Sequence, residues 1–499
     1  MKVLFIYPNL NAQVGFNYGV AFLSACLKES GHSTALLNIN EQLGFDFDVA
    51  RIRREVTAFA PDLIGFSVVS NQYRFAREIA RDIKTYCKAP IVCGGIHPTM
   101  DPESVLRDGC FDYVCVGEGE RAIVELADAL ENGSPTTGIE NIWLKVEGDI
   151  IRNHVRPFVP LESLPRKDYE IFEFQKMIDA KDGWVGIMSS RGCPFSCSYC
   201  FNHRLRELYE RDLGCSAAAL RYIRYHPVTA VIDEIETLLS SYKNIKTIIF
   251  DDDLFTLNKN YLREFCREYG RRVGLPFVCN AHVKVFDEEA AGCLKEAGCR
   301  IVKFGLESGS DRVRREILNR RMSNDDIIRA FATAERFGFH TSAFVIIGFP
   351  RETIAEIHET IELLARIRPG RFRWSVFFPF VNTRAYDIAR EGGFIDFEKL
   401  ESLTNFTDES ALDFGPTHNL LLRKLRTTFP WYVNARANFK CSPLYSELIE
   451  RVEKITPEEW PKVEESVTRI DTDISRMLDL SEEPHYGYKY NMFTAVRSY

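Results

Sequence analysis

The chain has 499 residues, a net charge of -8 at neutral pH and an apolar fraction of 45%. This length accommodates two to four domains of roughly 100–200 residues each. The acidic balance argues against a nucleic-acid partner, because proteins that bind nucleic acid present a basic face. No apolar stretch approaches the ~20 residues that cross a bilayer, and the apolar start stops at Pro8, too early for a signal peptide. We therefore expect a cytoplasmic protein without a transmembrane segment.

Residues 1–131 alternate short apolar runs with amphipathic stretches, a pattern typical of a doubly wound, Rossmann-like α/β domain with a parallel sheet. The apolar runs predict strands at 2–7, 33–39, 63–67, 91–93 and 113–116. The stretches between and after them predict helices at 18–30, 52–59, 73–86 and 120–131. Such sheets bind ligands beyond the carboxyl ends of their strands.

Small, neutral, glycine-rich loops occupy that edge of the predicted sheet. They include Ser67-Val68-Val69, Gly94-Gly95-Ile96-His97 and Gly117-Glu118-Gly119-Glu120. No G-x-x-x-x-G-K-[ST] motif is present, and the first loop is Tyr-Pro-Asn-Leu-Asn rather than G-x-G-x-x-G. The pattern favours a flat ligand lying on backbone over a triphosphate or a dinucleotide.

Residues 132–180 are predicted to be a linker between domains. A small hairpin is predicted there, with strands at 142–146 and 150–153 around Glu147-Gly148-Asp149. Pro157, Pro160 and Pro165 then favour an extended chain.

A second alternating series covers residues 181–395. Predicted strands fall at 185–189, 247–250, 277–279, 301–304, 342–347 and 374–378. Predicted helices fall at 228–242, 260–272, 287–297, 324–337 and 353–366. Six such strands form a partial (βα)6 barrel of the TIM type, whose active site lies at the carboxyl ends of the strands.

Polar residues gather after each of these strands. The successive strand ends carry Cys193, Cys197 and Cys200; Asp251, Asp252 and Asp253; Asn280 and His282; Glu307 and Ser308; Gly348, Pro350 and Glu352; Pro379 and Asn382. The barrel prediction and the site prediction therefore support each other. For the aspartate run, helix capping or a solvated turn remains an alternative.

The three cysteines have the spacing C-x-x-x-C-x-x-C, in a loop that contains Gly192 and Pro194. Three thiolates on a short loop suit zinc or an iron–sulfur cluster, because both favour soft sulfur ligands. A structural zinc site needs a fourth ligand, for which His203 is the nearby candidate. A cubane cluster with three protein ligands leaves one iron open for chemistry.

The other eleven cysteines are scattered singly. Cys293 and Cys299 are interpreted as core residues, because buried free cysteine behaves as a small hydrophobe. We expect neither disulfides nor a second cluster in a reducing compartment.

Residues 396–499 no longer alternate predicted strands with helices, and helices are predicted at 421–438 and 443–454. This mostly helical region either covers the open side of the barrel around a substrate or is plain core.

The cysteine motif, with Tyr199 before the third cysteine, resembles the signature of the radical S-adenosylmethionine (SAM) enzymes. The resemblance implies a 4Fe–4S cluster on Cys193, Cys197 and Cys200 whose open iron chelates SAM, and it places Tyr199 near the cluster or the adenine. It further implies SAM contacts from Asp252 or Asp253 at the amino group, from Glu307 and Ser308 at the ribose or methionine, and from Ile346 and Gly348 at the adenine. Glu352 falls one residue late for the family's G-x-I-x-G-x-x-E pattern, so its role is open.

The loops of residues 1–131 resemble the cobalamin-binding domain that precedes many radical SAM enzymes. The resemblance implies cobalamin contacts from Ser67, Val69, Gly94, Gly95, His97, Gly117 and Glu118. The D-x-H-x-x-G motif is absent after the first strand, which implies cobalamin bound without a protein imidazole ligand. A loop-bracing role for His97, and a domain that is a scaffold without cobalamin, remain alternatives.

Together these resemblances imply a cobalamin-dependent radical SAM enzyme, of the class that includes carbon methyltransferases and the anaerobic porphyrin oxidative cyclase. The implied reaction is hydrogen abstraction from an unactivated carbon of a small or lipophilic substrate by a 5′-deoxyadenosyl radical, followed by methyl transfer from methylcobalamin. An electron donor such as flavodoxin or ferredoxin is expected. Oxidative cyclisation or rearrangement with the same cofactors is the first alternative, and a non-catalytic cobalamin- or cluster-binding regulator is the second. No catalytic residue is assigned.

Overall fold

The computed structural model describes residues 1–405, 409–489 and 491–498. The chain divides into two compact units. The first consists of Met1–Pro194, Cys200–Ile248 and Phe380–Thr383, and the second of Phe195–Tyr199, Ile249–Pro379 and Arg384–Tyr499. Residues 406–408, 490 and 499, which belong to the predicted C-terminal region, lie outside the described residues.

The first unit contains a seven-stranded sheet in the order β2-β1-β3-β4-β5-β6-β7. Its strands are β1 Lys2–Pro8, β2 Ser33–Ile39, β3 Leu63–Ser67, β4 Ile91–Gly94, β5 Tyr113–Cys115, β6 Ile142–Val146 and β7 Asp149–Ile151. Strands β1 to β5 pair in parallel, with the order 2-1-3-4-5 of flavodoxin-like sheets. The predicted doubly wound domain is confirmed.

Helices accompany these strands along the chain. They are α1 Tyr18–Glu29, α2 Val49–Phe59, α3 Tyr73–Ile83, α4 Ile96–Met100, α5 Pro102–Arg107, α6 Glu120–Glu131 and α7 Phe174–Ala180, with short 3-10 turns at Glu41–Leu43, Ser70–Gln72 and Leu161–Ser163. Asn17 caps α1 by accepting from the Val20 backbone N–H. Such a cap satisfies one of the donors that every helix start leaves unpaired.

The hairpin β6–β7 is not an isolated part of a linker. It pairs antiparallel with β5, in the register Tyr113↔Leu144, Val114↔Trp143 and Cys115↔Ile142. Ile142 and Leu144 are buried. The hairpin predicted within the linker 132–180 therefore extends the first sheet, because its apolar face is buried only when it is paired there.

The first unit continues beyond the sheet with β8 Trp184–Ile187 and the antiparallel pair β9 Ser190–Arg191 and β10 Arg224–Tyr225. Helices α8 Phe201–Leu213, α9 Ala217–Leu220 and α10 Val228–Ser241 follow the cysteine loop. Tyr209, Leu220 and Tyr222 pack into the same apolar core as the strands of the seven-stranded sheet. Helix α8 was not predicted from the sequence.

In the second unit, strands follow the order β16-β17-β15-β14-β13-β12-β11. They are β11 Thr247–Phe250, β12 Phe277–Ala281, β13 Cys299–Glu307, β14 His340–Ile347, β15 Arg371–Val376, β16 Tyr486–Lys489 and β17 Asn491–Arg497. Strands β12 to β15 pair in parallel. Asn280 lies inside β12 rather than after it.

Four helices alternate with these parallel strands: α11 Lys259–Arg272, α12 Glu288–Glu296, α13 Asn324–Arg336 and α14 Ile354–Ile367. Reciprocal capping boxes begin α13, through Ser323 and Asp326, and α14, through Thr353 and Glu356. A short π-helical turn, Val313–Ile317, follows β13. This alternation brings the carboxyl ends of the parallel strands to one edge of the sheet.

The C-terminal region is helical, as predicted, and ends in a hairpin that was not predicted. Its helices are α15 Arg384–Glu391, α16 Phe397–Ser402, α17 Pro416–Arg436, α18 Ser442–Glu453 and α19 Trp460–Leu480. Strand β17 pairs antiparallel with β15, in the register Arg371↔Val496, Phe372↔Ala495 and Arg373↔Thr494. No helix in the described ranges has the length and apolar character needed to cross a membrane.

Candidate functional site

The three cysteines of the motif lie on an irregular loop between β9 and α8. Gly192 has a φ of +96°, a left-handed backbone that glycine adopts without strain. Cys200 is the residue that precedes the first turn of α8. None of the fourteen cysteines forms a disulfide, and Cys197 is buried whereas Cys193 and Cys200 are half-buried.

Arg320 of the second unit contacts this loop at Cys197 and Tyr199. Its Nη1 lies 3.4 Å from the Cys197 sulfur and 3.5 Å from the Tyr199 hydroxyl. Its Nη2 donates to the Gly305 carbonyl at 2.7 Å. Burial opposes the charge, but Tyr199, Glu307 and Cys197 hold the Arg320 pKa above its ordinary value. A buried cation therefore lies beside one sulfur of the motif. Sequence reasoning missed Arg320, because no motif marks it.

Glu307 ends strand β13 in a strained conformation. Its φ is +66°, and the pairing register with β14 shifts between Gly305 and Glu307. A Cβ at 305 would lie 2.3 Å from the Glu307 Oε1, so a larger residue there would displace the Glu307 side chain. Burial raises the pKa of Glu307, while Arg320 and a hydrogen bond from Tyr199 act in the opposite direction. Strain of this kind at a strand end is a common mark of a functional position.

Ser308 is buried, and its hydroxyl serves the fold. It accepts from the Ser310 backbone N–H at 3.2 Å and lies 3.4 Å from the Thr360 hydroxyl. The Ser308 carbonyl accepts from Arg314 at 2.7 Å. The structure thus brings Glu307 to Tyr199 and Arg320, whereas it ties the Ser308 side chain to helix α14.

Ile346 lies near the end of β14, and the turn that follows carries Gly348 and Glu352. The Glu352 Oε2 accepts from the backbone N–H groups of Gly348 at 2.7 Å and Phe349 at 3.2 Å. Its Oε1 is buried without a hydrogen bond among the described residues. Burial raises the pKa of Glu352 to about 8, although the two backbone donors act to lower it. The Glu352 carboxylate therefore holds the backbone of this turn through two hydrogen bonds. Ile346 and Tyr199 pack against the same apolar cluster.

The aspartate run follows β11. Asp252 is fully buried, and its carbonyl accepts from the Asn280 side chain at 2.9 Å. Asp253 is exposed. The His282 ring stacks on Phe195 of the cysteine loop, with ring centroids 4.1 Å apart. Burial, with Arg320 and Lys284 nearby, lowers the pKa of His282 to about 3. His282 is thus a neutral ring packed against the loop.

In the first unit, the loops after β3 and β4 approach each other closely. The Val68 backbone N–H donates to Gly94 at 2.9 Å, and the His97 N–H donates to Val68 at 3.1 Å. Gly95 has a φ of +106°, and a Cβ there would lie 2.7 Å from the Val68 backbone. Ser67 accepts from the Asn17 side chain at 3.0 Å. Val69 remains 40% exposed at this edge.

His97 lies in α4 and is buried. Its Nδ1 lies 3.2 Å from the Ser70 hydroxyl, and its ring packs 4.1 Å from the Tyr73 ring centroid. Its Nε2 is buried with no hydrogen bond among the described residues. Burial lowers the pKa of His97 to about 4, so the ring is neutral. Both the loop-bracing contact and a polar atom left for a ligand are present.

Two polar side chains that sequence reasoning missed tie the loops of this edge together. The Thr99 hydroxyl donates to the Gly95 carbonyl at 2.7 Å and accepts from the Gly117 N–H at 3.0 Å. The Gln72 side chain makes two hydrogen bonds with the Leu10 backbone, at 3.0 and 2.8 Å. These bonds hold the loops after β1, β3, β4 and β5 in place.

Glu118 is engaged by two arginines that flank the cysteine loop along the chain. Its carboxylate pairs with Arg224 and lies 3.1 Å from Arg191, which also pairs with Glu120 at 2.7 Å. Burial would raise the pKa of Glu118, but Arg191 and Arg224 bring it below its usual value. Tyr209 accepts from the Glu118 N–H at 3.0 Å. The Glu118 side chain is therefore committed to this ion network.

Comparisons with known proteins agree with the two cofactor regions predicted from the sequence. A B12-binding domain family model matches residues 12–127, and a radical SAM superfamily model matches residues 187–364. An uncharacterised methyltransferase of Pyrococcus horikoshii is 30% identical over 400 residues, which are 78% of this chain and 83% of that protein. The chain therefore belongs to the cobalamin-dependent radical SAM enzymes.

One further relative supports this assignment, and one solved structure shares the fold. The anaerobic magnesium-protoporphyrin IX monomethyl ester cyclase of Rubrivivax gelatinosus is 26% identical over 457 residues, covering 86% of this chain and 77% of that protein. The solved structure of OxsB, a cobalamin-dependent SAM radical enzyme with aqua-cobalamin and SAM bound, matches with a TM-score of 0.68 at 17% identity, over 96% of this chain and 75% of OxsB. The second likeness is one of fold. The family's cofactors are cobalamin, SAM and a 4Fe–4S cluster, and a purely regulatory role is set aside because the chain belongs to a family of enzymes.

Proposed function

We propose that this protein is a methyltransferase that places a methyl group on an unactivated carbon of a small or lipophilic substrate. The observation that carries the proposal is the 30% identity to a methyltransferase, which covers 83% of that relative and spans both cofactor regions. When bound, the family's cofactors supply a 5′-deoxyadenosyl radical and a transferable methyl group. The residues of this chain would bind, orient and enclose those groups.

We assign the cluster to Cys193, Cys197 and Cys200. The donor set fits the group, because three thiols on one short loop, none of them in a disulfide, are soft ligands and leave a fourth iron position open. The guanidinium of Arg320, 3.4 Å from the Cys197 sulfur, offsets the negative charge that a thiolate-bound cluster brings into a buried place. A zinc ligand would have to be the His203 Nε2, which has no hydrogen bond among the described residues, because its Nδ1 is held by the Cys200 carbonyl. The radical SAM family model, which matches residues 187–364, favours the cluster.

We assign SAM contacts to Tyr199, Asp252, Asp253, Glu307, Ser308, Ile346 and Gly348. Glu307 is the best supported of these, because its buried carboxylate lies beside Tyr199 and Arg320 at a strand end. A carboxylate there can accept from ribose hydroxyls or from an ammonium group. For Ser308 the fold uses the hydroxyl, so we assign its contribution to the backbone. Ile346 would lie against the adenine by apolar contact, with Gly348 in the turn that Glu352 shapes.

We assign cobalamin contacts to Ser67, Val69, Gly94, Gly95, His97, Gly117 and Glu118. The close backbone approach at Gly95 and the exposed Val69 fit a large flat ligand at the carboxyl edge of the sheet. The unpaired Nε2 of His97 can bond to such a ligand. Glu118 would act through its backbone, since its carboxylate is paired with arginines.

We further propose the following domain division: cobalamin domain 1–131, linker 132–180, radical SAM domain 181–395 and substrate or cover domain 396–499. The reaction needs a low-potential electron, which we assign to a flavodoxin or ferredoxin in a reducing cytoplasm. The hairpin β6–β7 supports extending the cobalamin domain to residue 151, because it completes the first sheet.

Oxidative cyclisation or rearrangement is the second candidate function. The relative from Rubrivivax gelatinosus, a cyclase at 26% identity, favours it. The two reactions leave different products from SAM. Methyl transfer gives S-adenosylhomocysteine together with 5′-deoxyadenosine, whereas cyclisation gives 5′-deoxyadenosine alone.

The decisive experiment is anaerobic reconstitution followed by turnover with candidate lipids, tetrapyrroles and peptides. Chromatography of the SAM products is the readout, and absorbance verifies cobalamin and the cluster. Replacing each motif cysteine by alanine should abolish iron retention and SAM cleavage, whereas Cys293→Ala, outside the motif, should keep both. Retention of iron and cleavage in all three motif variants would overturn the cluster assignment. A full yield of 5′-deoxyadenosine without S-adenosylhomocysteine would replace methyl transfer by cyclisation.

A further inference from the structure

A basic groove lies on the surface of the second unit, next to residues that contact the cysteine loop. We define the Lys284 groove as the cavity of about 470 Å³ lined by Lys284, Arg315, Arg321, Met322, Ser323 and Asp326. Three of its six lining residues are cationic, on a chain whose net charge is -8. A local excess of one charge sign on an oppositely charged protein is the expected mark of a docking surface for a charged partner.

Two of these cations are not used by the fold. Arg315 pairs with Asp311 at 3.0 Å, and Asp326 pairs with Arg329 and caps helix α13. Neither the Lys284 ammonium nor the Arg321 guanidinium forms an ion pair with any residue that the structure describes. Both side chains are exposed. The start of α13 is already satisfied by its capping box, so the attraction for anions comes from these side chains.

The groove extends along the same face. A second cavity of about 520 Å³ shares Lys284 and Asp326 with it and adds Arg329 and Arg336. Asp287 and Glu288 also line this second cavity, and Glu288 pairs with Arg336. Over both cavities five cations face three carboxylates, namely Asp287, Glu288 and Asp326. The two cavities together remain positive after their ion pairs are counted, because Lys284 and Arg321 are left over.

Two residues of the groove are close in sequence to residues that contact the cysteine loop. Lys284 donates its backbone N–H to the His282 Nδ1 at 3.2 Å, and the His282 ring stacks on Phe195 of the cysteine loop. Arg321 directly follows Arg320, whose Nη1 is 3.4 Å from the Cys197 sulfur. The two cations of the Lys284 groove that form no ion pair, Lys284 and Arg321, are thus within two residues of side chains that contact the loop proposed to hold the cluster.

We propose that the Lys284 groove is the docking surface for the acidic, one-electron carrier protein that reduces the cluster. This inference rests on the proposed function. The step it serves is the transfer of one electron from the reduced carrier to the cluster, which oxidises the carrier by one electron and breaks no bond in this protein. Lys284 and Arg321 would pair with carboxylates on the carrier and hold it over Phe195 and Arg320. Such pairs mainly raise the association rate and weaken with salt.

The test uses the full chain, purified anaerobically, and measures its binding to oxidised flavodoxin and to a ferredoxin by titration calorimetry at low and high ionic strength. The double variant K284E/R321E should weaken binding of the carrier by about tenfold or more. The matched control is K462E/R469E, which makes the same change in charge at two exposed positions of α19 and should change binding by less than about twofold. Wild-type affinity should fall with rising salt, and that of K284E/R321E should fall much less.

A second measurement separates docking from catalysis. With titanium(III) citrate as reductant, the rate of cluster reduction should be equal in wild type and both variants, whereas with reduced flavodoxin the rate should be lower only in K284E/R321E.

The proposal would be overturned by equal carrier binding in all three proteins, by equal weakening of binding in both variants, or by no binding of either carrier. It would also be overturned if K284E/R321E bound carrier normally but raised the KM for substrate, because the groove would then bind a substrate anion. Absence of iron after reconstitution would instead reject the proposed function, while the binding data would still report on the groove.

Discussion

The guanidinium of Arg320 lies 3.4 Å from the sulfur of Cys197 and donates to the Gly305 carbonyl on strand β13. One buried cation therefore links the cysteine loop to the strand end that carries Glu307. Removing it should have two separable effects, on the cluster and on the fold.

Arg320→Met should lower the reduction potential of the cluster, because a nearby positive charge favours the added electron. The expected fall is on the order of 60 mV, about 1.4 kcal/mol for one electron. Arg320→Lys keeps the charge and should shift the potential less. Potentiometric titration followed by electron paramagnetic resonance measures the effect. Arg321→Met, the same change one residue further on, should leave the potential unaltered, and an equal shift there would contradict the assignment.

The same Arg320→Met variant should also be less stable. It leaves the Gly305 carbonyl without its Arg320 donor and removes a positive charge near the buried Glu307 carboxylate, which should lower the free energy of unfolding by about 1–3 kcal/mol. Anaerobic urea titration of the protein provides the measurement. A variant as stable as wild type would mean that Tyr199 alone satisfies Glu307.

Glu352→Gln should change how stability depends on pH. The folded-state pKa of about 8 is higher than the ordinary 4.5, so the folded protein holds this proton more tightly than the unfolded chain. The group's stabilising contribution is complete below pH 4.5 and is lost as pH rises towards about 8. The urea midpoint of wild type should therefore fall relative to that of Glu352→Gln across this window, and then stay parallel. Parallel curves throughout would show that Glu352 is ionised in the folded state.

Gly95→Ala and Gly94→Ala form a matched pair in the first unit. A Cβ at 95 would lie 2.7 Å from the Val68 backbone at a φ of +106°, whereas at 94 the nearest atoms lie at an ordinary 3.6 Å. Gly95→Ala should destabilise the protein by about 1–3 kcal/mol. Gly94→Ala should keep its stability but weaken cobalamin binding, which equilibrium absorbance titration measures. Equal losses of stability in both variants would contradict this division.

Glu118→Ala should destabilise the protein more than it weakens cobalamin binding. Its buried carboxylate pairs with Arg224 and Arg191, and the loss of one partner of such a network typically costs about 3 kcal/mol. The control is Glu125→Ala, which removes the half-exposed partner of Arg156 and should cost at most about 1 kcal/mol. Urea unfolding and cobalamin titration of both variants make the comparison. A loss confined to cobalamin affinity would instead assign the Glu118 side chain to the ligand.

The alternating strands and helices could be predicted from the sequence because their apolar periodicity is local. Strands Ser33–Ile39 and Thr247–Phe250 and helix Glu120–Glu131 have the bounds that their patterns predict. The pairing of one strand with another could not be predicted in the same way, because it is not a local property of the sequence. The hairpin β6–β7 was recognised as a hairpin, but its pairing with β5 depends on contacts made after the chain has folded back.

The candidate site was predictable to a similar extent. The cysteine spacing and the loops at strand ends are visible in the sequence. The sequence does not show which of Arg320 and Arg321 is buried beside a thiol. The two arginines are adjacent, and only the folded backbone determines the direction of each side chain. The sequence likewise could not show that Glu118 would meet Arg191 and Arg224, because those residues are far apart along the chain and none belongs to a periodic pattern.

The hairpin β16–β17 has a consequence for how this protein is made. The outer edge of β15 is covered by Thr494, Ala495 and Val496, about a hundred and twenty residues later in the chain. While the ribosome is still adding the helices α15 to α19, the backbone donors and acceptors of that edge have no strand to bond with. A nascent chain would thus present an open β edge for most of its C-terminal third, and chaperones that cover such edges should engage it during that interval.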